Sequence, residues 1–342
     1  MKYQLLPVGE QVIVITGASS GIGLVTAKRA AAQGSRVVLA ARNEHDLRRA
    51  CDEIRAAGGR AIFVVADVSD PKEVERLADA AMAEFGRIDA WVNNAAVSMY
   101  GRVMELRLED MRRQMDVNFW GQVYGSREAV KRMGREGGAL VNVASALADR
   151  AIPLQGIYCA AKHAIKAFTD TLRMELEADG VPISVTLVKP ASIDTPFFEK
   201  AKTYLDVEPQ PVPPVYAPEI AADVILRCAE KPTREIIAGG AAEKLRLAQL
   251  FPRAADKFME RKLFDQQRTS EPVGGRPDNL YGPVPADGGE RGRTWHGRTK
   301  ETSALTWAAM RPAATVAGLV ALMVGALAVA NRMSPFDRVR LY

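Results

Sequence analysis

Tyr158 and Lys162 lie four residues apart in Tyr-Cys-Ala-Ala-Lys, and Ser145 stands thirteen residues before the tyrosine, at the end of Ala-Leu-Val-Asn-Val-Ala. On a helix, positions 158 and 162 share one face one turn apart, which brings an ammonium toward a phenol. At about 4 Å and an effective dielectric of about 20, a unit positive charge stabilises a phenolate by roughly 4 kcal/mol, enough to move a tyrosine from its ordinary pKa of about 10 toward neutrality. Proton transfer to or from a substrate oxygen is most effective in that range. By themselves the two residues equally describe a packed ring beside a solvated amine, so the rest of the chain has to decide between the readings.

The elements needed to position them are legible. A β-branched run at 12–16 leads into Gly17-Ala-Ser-Ser-Gly21-Ile-Gly23 and then a helix-like stretch from Leu24 to Gln33, the pattern of strand, glycine turn and helix. Apolar runs recur at 36–41, 61–66, 88–92, 139–143 and 183–188, with a last one at 235–238, separated by amphipathic, Ala- and charge-rich stretches. Continuous apolar strands alternating with helices predict an α/β fold with a parallel sheet covered on both faces. The glycine turn offers close backbone approach and a helix N-terminus suited to a pyrophosphate. The second strand ends at Ala41-Arg42, with no acid to hold a ribose hydroxyl and a guanidinium suited to a 2′-phosphate, which favours NADP(H) over NAD(H).

Several of these segments together resemble one family. Thr16-Gly-Ala-Ser-Ser-Gly-Ile-Gly23, Asp67-Val68, Asn93-Asn94-Ala95-Ala96, Asn118 in Met-Asp-Val-Asn-Phe, Ser145, Tyr158-x-x-x-Lys162 and Pro190-Ala-Ser-Ile-Asp-Thr195 occur in the order and spacing of the short-chain dehydrogenase/reductase family. The resemblance covers roughly residues 8–240 and implies a single Rossmann-type doubly wound domain with a seven-stranded parallel sheet. It implies Tyr158 as general acid or base, Ser145 on the substrate oxygen, Lys162 lowering the tyrosine pKa and holding the nicotinamide ribose, and Asn118 supporting a proton-relaying water. For the cofactor it implies contacts from Gly17, Ser19, Ser20, Gly21, Ile22, Gly23, Arg42, Asp67, Val68, Asn94, Ala95, Pro190, Ile193 and Thr195, in addition to Tyr158 and Lys162. It also implies a small carbonyl or alcohol substrate and a homo-oligomer, dimer or tetramer. The chain departs from the family pattern at Ala96 and Ala191, where glycine is usual and where a left-handed backbone would be strained, and at Ser20, where NADP-preferring members often carry a basic residue.

A chain of 342 residues with 48% apolar content buries a substantial core. Its three cysteines and three histidines show no paired spacing, so neither a disulfide framework nor a metal site is expected. From Asp287 onward eight Lys and Arg face four acids, leaving a nearly neutral body, which argues against a nucleic-acid-binding protein.

Residues 1–240 therefore read as the catalytic domain and 241–266 as a helical extension, either packed on the body or lying on a membrane surface. Residues 267–311, rich in Gly and Pro, read as a flexible linker. The eighteen uncharged residues from Ala313 to Ala330 give about 27 Å of helix, near the lower limit for a bilayer core. Residues 312–331 are accordingly expected to form a transmembrane helix, or else a buried one, with 332–342 as a short tail. No secretory signal opens the chain, so the expectation is a single-pass, C-terminally anchored enzyme with its body in the cytoplasm. Phe197, Phe198, Tyr204 and Leu205, just past the nicotinamide contacts, suit an apolar or lipid-like substrate. The alternatives are a non-catalytic NADP(H) sensor or scaffold, and an unanchored enzyme.

Overall fold

In the computed structural model, residues 3–285, 288–313, 315 and 323 are described. Seven strands form one parallel sheet: β1 (Val12–Thr16), β2 (Arg36–Ala41), β3 (Arg60–Val65), β4 (Ala90–Asn93), β5 (Gly138–Val143), β6 (Ile183–Pro190) and β7 (Glu235–Ala238). Their spatial order is β7-β6-β5-β4-β1-β2-β3, with every neighbour parallel. The order reverses between β1 and β4, and the crevice at such a reversal is where doubly wound sheets bind ligands.

Helices cover both faces. On one lie α1 (Gly21–Ala32), α2 (Glu44–Ala56) and, far along the chain, α7 (Pro218–Glu230), whose Leu24, Leu47 and Val224 join one buried cluster. On the other lie α3 (Pro71–Phe85), α5 (Gly121–Met133) and α6 (Gly156–Ala178), contributing Leu77, Met133 and Leu176 to a second. The β-branched strands are buried on both sides because each faces helices above and below, which is why they read as unbroken apolar runs. Between α4 (Leu108–Met115) and α5, residues Asp116–Trp120 form a turn of π-helix, a device that recurs at functional sites.

The C-terminal extension departs from expectation in its Gly- and Pro-rich part. Helices α8 (Ala242–Leu247) and α9 (Pro252–Gln266) pack on the body, with Met259 and Leu263 buried against Leu147, Ile152 and Tyr158. Residues 267–285 and 288–311 are no loose linker. They run back across the body, pairing Arg268–Pro272 with Val207–Pro209 and Thr299–Lys300 with Val215–Tyr216, and end in α10 (Ala304–Met310), which is held by the Gly239 N–H on Thr306 Oγ1 at 2.9 Å. Polar side chains scattered among the glycines supply these bonds, so low apolar content does not leave the segment unpaired.

The membrane anchor is corrected. Among the described residues no helix is long and apolar enough to cross a membrane, and the expected transmembrane helix at 312–331 falls almost wholly outside those residues. Half of the run is Ala and Gly, and the helix leading toward it is bound to the protein body through Thr306 and through the Arg227 contact with the Met310 carbonyl. The single-pass, membrane-associated localisation and the membrane as a partner are withdrawn with it.

Candidate active site

The glycine turn sits where β1 reaches the sheet's carboxyl edge. Gly17 has φ of 67°, and a Cβ there would come within 2.8 Å of the Ala95 backbone; Gly21 has φ of 53°, so both positions suit glycine alone. Thr16, whose place in the motif does not announce a role, locks this turn to the end of β4. Its hydroxyl accepts from the Asn94 and Ala95 amides at 3.0 and 3.1 Å, while Asn94 Nδ2 donates to the Thr16 and Gly17 carbonyls. Gly23 lies behind the turn, where a Cβ would strike the Gly17 carbonyl at 2.3 Å.

A buried polar net ties the strands and helix that carry the candidate site residues. Asn93 Nδ2 donates to Asn142 Oδ1 at 2.9 Å, and Asn142 Nδ2 to Thr169 Oγ1 at 3.0 Å, linking β4, β5 and α6. Ser145, just past β5, caps a short 3-10 turn by accepting from the Leu147 amide at 3.1 Å. Tyr158 and Lys162 occupy one face of α6, as their spacing predicts. Leu154, in the turn leading to α6, is the non-glycine residue with positive φ, 66°, among the described residues, a strained backbone of the kind found beside working sites.

One cavity of about 480 Å³ runs beneath these elements. Ser145, Tyr158 and Lys162 line it; so do Gly17, Ser19, Ser20, Gly21 and Ile22 from the turn. Arg42, Asp67, Val68, Asn94 and Ala95 form one side, and Pro190, Ile193 and Thr195 another. Asn118 is fully buried and not part of the wall. Its side chain is committed to Val97, accepting from the amide at 2.8 Å and donating to the carbonyl at 2.9 Å.

Ser145 beside the Tyr158 phenol pulls its pKa down, yet burial outweighs that pull and pushes the tyrosine up, not toward neutrality. Lys162 is 1% exposed, and desolvation pushes its ammonium down to about 7. It donates to the Val143 carbonyl at 3.0 Å, with Nζ 5.5 Å from the centre of the Tyr158 ring. The dry site dominates both groups.

Of the four lid residues expected around a substrate, two meet the cavity. Phe197 lies 5.9 Å from the Tyr158 ring, centre to centre, with Phe198 beside it. Tyr204 instead bonds Asp110, and Leu205 packs with Tyr100. The remaining apolar wall comes from Leu147, Ile152, Val212, Leu245, Met259 and Leu263, the last three from an extension with no motif to announce them. Neither Ala96 nor Ala191 has a positive φ, so the two departures from glycine introduce no backbone strain.

At the far end, Arg42 donates to the carbonyls of Asn279 and Leu280 and lies 3.9 Å from Asp67. Asp67 is bonded by Arg113 and Ser69; burial alone would raise its pKa, and these bonds hold it below the usual value. Lys200 reaches in from the lid to place Nζ 2.8 Å from Ser20 Oγ. Nothing in the sequence near Lys200 signals that position.

The short chain dehydrogenase family model matches residues 11–205. The uncharacterized oxidoreductase YxnA of Bacillus subtilis (strain 168) is 46% identical over 327 residues, covering 94% of this chain and 92% of that one; coverage of that extent necessarily takes in residues 267–300. The 11-beta-hydroxysteroid dehydrogenase A of Sesamum indicum is 35% identical over 240 residues, covering 67% and 68%. Among solved structures, the alcohol dehydrogenase from the archaeon Thermococcus sibiricus complexed with 5-hydroxy-NADP has a TM-score of 0.59 at 25% identity, covering 66% of this chain and 95% of that one. A short-chain type dehydrogenase/reductase from Mycobacterium marinum has a TM-score of 0.61 at 26% identity, covering 70% and 97%. The motifs, the seven-stranded sheet and these likenesses agree: the chain belongs to the short-chain dehydrogenase/reductase family of oxidoreductases, which bind nicotinamide dinucleotides.

Proposed function

We propose that this oxidoreductase is NADP(H)-dependent and interconverts an apolar alcohol with its ketone or aldehyde. The observation that carries the reading is that Ser145, Tyr158 and Lys162 share one cavity with the glycine turn and Arg42. The glycines at 17 and 21 leave backbone where side chains would otherwise project, which fits a dinucleotide pyrophosphate. When bound, the dinucleotide supplies or accepts the hydride.

The chain's own groups do the rest. Ser145, which lines the cavity with the phenol, is placed to hold a substrate oxygen and stabilise charge that develops on it. Tyr158 is the proton donor for carbonyl reduction and the acceptor for alcohol oxidation; its raised pKa keeps it protonated and poised as an acid. Lys162, with a pKa lowered to about 7, is placed to return a proton to the phenol side of the site. Asn118, its amide engaged on both sides by Val97, holds the loop after β4 against the π turn and acts as a positioning residue. Arg42, with Lys200 beside Ser20, supports the 2′-phosphate reading; the basic group that the glycine turn lacks at Ser20 is supplied from the lid. The archaeal relative solved with an NADP derivative favours the same cofactor. Phe197, Met259 and Leu263 make the substrate end apolar, in keeping with the hydroxysteroid dehydrogenase likeness.

A screen of apolar ketones and alcohols against purified full-length protein tests this, following NADPH at 340 nm. Turnover with NADPH exceeding that with NADH is expected. Tight nucleotide binding without turnover of any carbonyl or alcohol would instead identify a nucleotide sensor.

A further inference from the structure

The adenosine end of the cavity is closed by chain that lies beyond the domain recognised by the family model. Residues 276–285 and 288–292 cross that end as a strap. Arg276 holds the lid, donating to Glu208 at 2.6 Å and to the Ala201 carbonyl at 3.1 Å. The Asn279 amide donates to the Lys200 carbonyl at 2.9 Å. Leu280 is fully buried in the same core cluster as Val68, and its carbonyl accepts from Arg113 at 3.0 Å. Farther on, the Gly289 carbonyl takes the Gly21 N–H at 2.8 Å, at the start of α1, and Glu290 pairs with Lys28 at 2.8 Å.

Asn279 is the residue of this strap that faces inward. It is 8% exposed, it lines the cavity with Ser20, Ala41, Arg42 and Asp67, and its Oδ1 has no hydrogen-bond partner. A buried amide oxygen left unpaired is unfavourable, and a ligand that fills the cavity satisfies it. A carboxamide carries both an acceptor and donors, so the side chain serves either as acceptor from a ribose hydroxyl or adenine amine or as donor to a phosphate. Its main-chain carbonyl, together with that of Leu280, meanwhile orients the Arg42 guanidinium.

We propose that Asn279 is a cofactor-binding residue and that this strap is the outer wall of the adenosine site, so that the dinucleotide is held between the glycine turn and the strap. This rests on the cofactor reading above. Because Arg276 and the Asn279 amide grip the lid, the same strap joins the adenosine wall to the substrate side of the cavity.

The test uses the full chain and reads binding, not turnover. Asn279→Ala leaves the carbonyl that holds Arg42 in place, so it reports on the side chain alone; the expected result is about a tenfold weaker NADPH affinity by fluorescence titration. Asn279→Asp, closest in shape, guards against a folding defect and is expected to weaken NADPH more than NADH. Limited trypsin digestion, with cleavage at Arg276, Arg291 and Arg293 followed by mass spectrometry, should slow about tenfold when NADPH saturates the wild type. Wild-type affinity in both variants, with strap cleavage indifferent to bound NADPH, would overturn the proposal while leaving the cofactor reading intact. Failure of the wild type to bind either nucleotide would overturn both.

Discussion

Lys162 donates to the Val143 carbonyl at 3.0 Å, and not to Tyr158, the residue its spacing brings it beside. The lysine is thereby fastened to the end of β5, two residues before Ser145, so that strand and helix place the phenol, the serine hydroxyl and the ammonium as one unit. Its charge is held in a dry site, which costs stability and lowers its proton affinity.

Replacing Tyr158 by Phe removes the proton donor while keeping the ring packed against Phe197. Turnover should fall about 10²- to 10⁴-fold, with NADPH affinity retained, as measured by steady-state assay and fluorescence titration. Unchanged turnover would remove the tyrosine from the mechanism.

The burial of Lys162 has a pH signature. Its folded pKa of about 7 lies below the ordinary 10.5, so the unfolded chain binds the extra proton between those values and the cost of burying the charge is complete below about pH 7. That cost fades as pH rises toward 10.5. In Lys162→Met the melting temperature relative to wild type should therefore be most favourable at pH 6 to 7 and lose that advantage by pH 10, in thermal melts across the range. The unpaired Val143 carbonyl lowers the variant's stability at every pH, so the trend and not the offset is diagnostic.

Arg42→Leu should weaken NADPH more than NADH, with the two losses differing by about tenfold or more, because a charge-assisted bond to a 2′-phosphate is available to one nucleotide only. Some loss is shared, since Arg42 also fastens Asn279 and Leu280. Equal losses in titrations with both nucleotides would leave the NADP preference without its main support.

Asp149 lies between two lysines: Lys166, and Lys189, which is 0% exposed and also 2.5 Å from Glu235. Burial alone would raise its pKa, but the lysine bonds outweigh that and hold it below the ordinary 3.8. Its contribution is present above about pH 4 and disappears as pH falls through the folded value. Asp149→Asn should cost about 3 kcal/mol at pH 7, the lower end for a broken buried pair because Glu235 remains. The deficit, read by denaturant titration, should narrow below pH 4.

Leu263→Ala opens the apolar cavity wall that α9 provides. A cost of about 2 to 4 kcal/mol is expected from the cavity left among Met259, Leu147 and Ile152, together with a raised KM for apolar ketones and little change in NADPH affinity. An unaltered KM across the substrate panel would place that wall outside the substrate's reach.

The strands, the glycine turn and the helical pairing of Tyr158 with Lys162 were readable from residue order because each is set within a few positions, by strand periodicity, by a positive φ or by one turn of helix. The chain's membership in its family followed from several such local patterns in register. The opposite signs of the two pKa changes were not readable, because desolvation depends on what packs around a group and not on its sequence neighbours. Nor was the apolar wall from α9, the Lys200 ammonium beside Ser20, or the return of 267–285 and 288–311 across the body. The contact between Arg42 and Asn279 spans 237 positions, and the strap that makes it has no periodicity to reveal which face it covers. A Gly- and Pro-rich stretch reads as a linker until the carbonyls and carboxylates it meets are known; only the folded body supplies those partners, and so only the tertiary structure decides that the stretch walls the site.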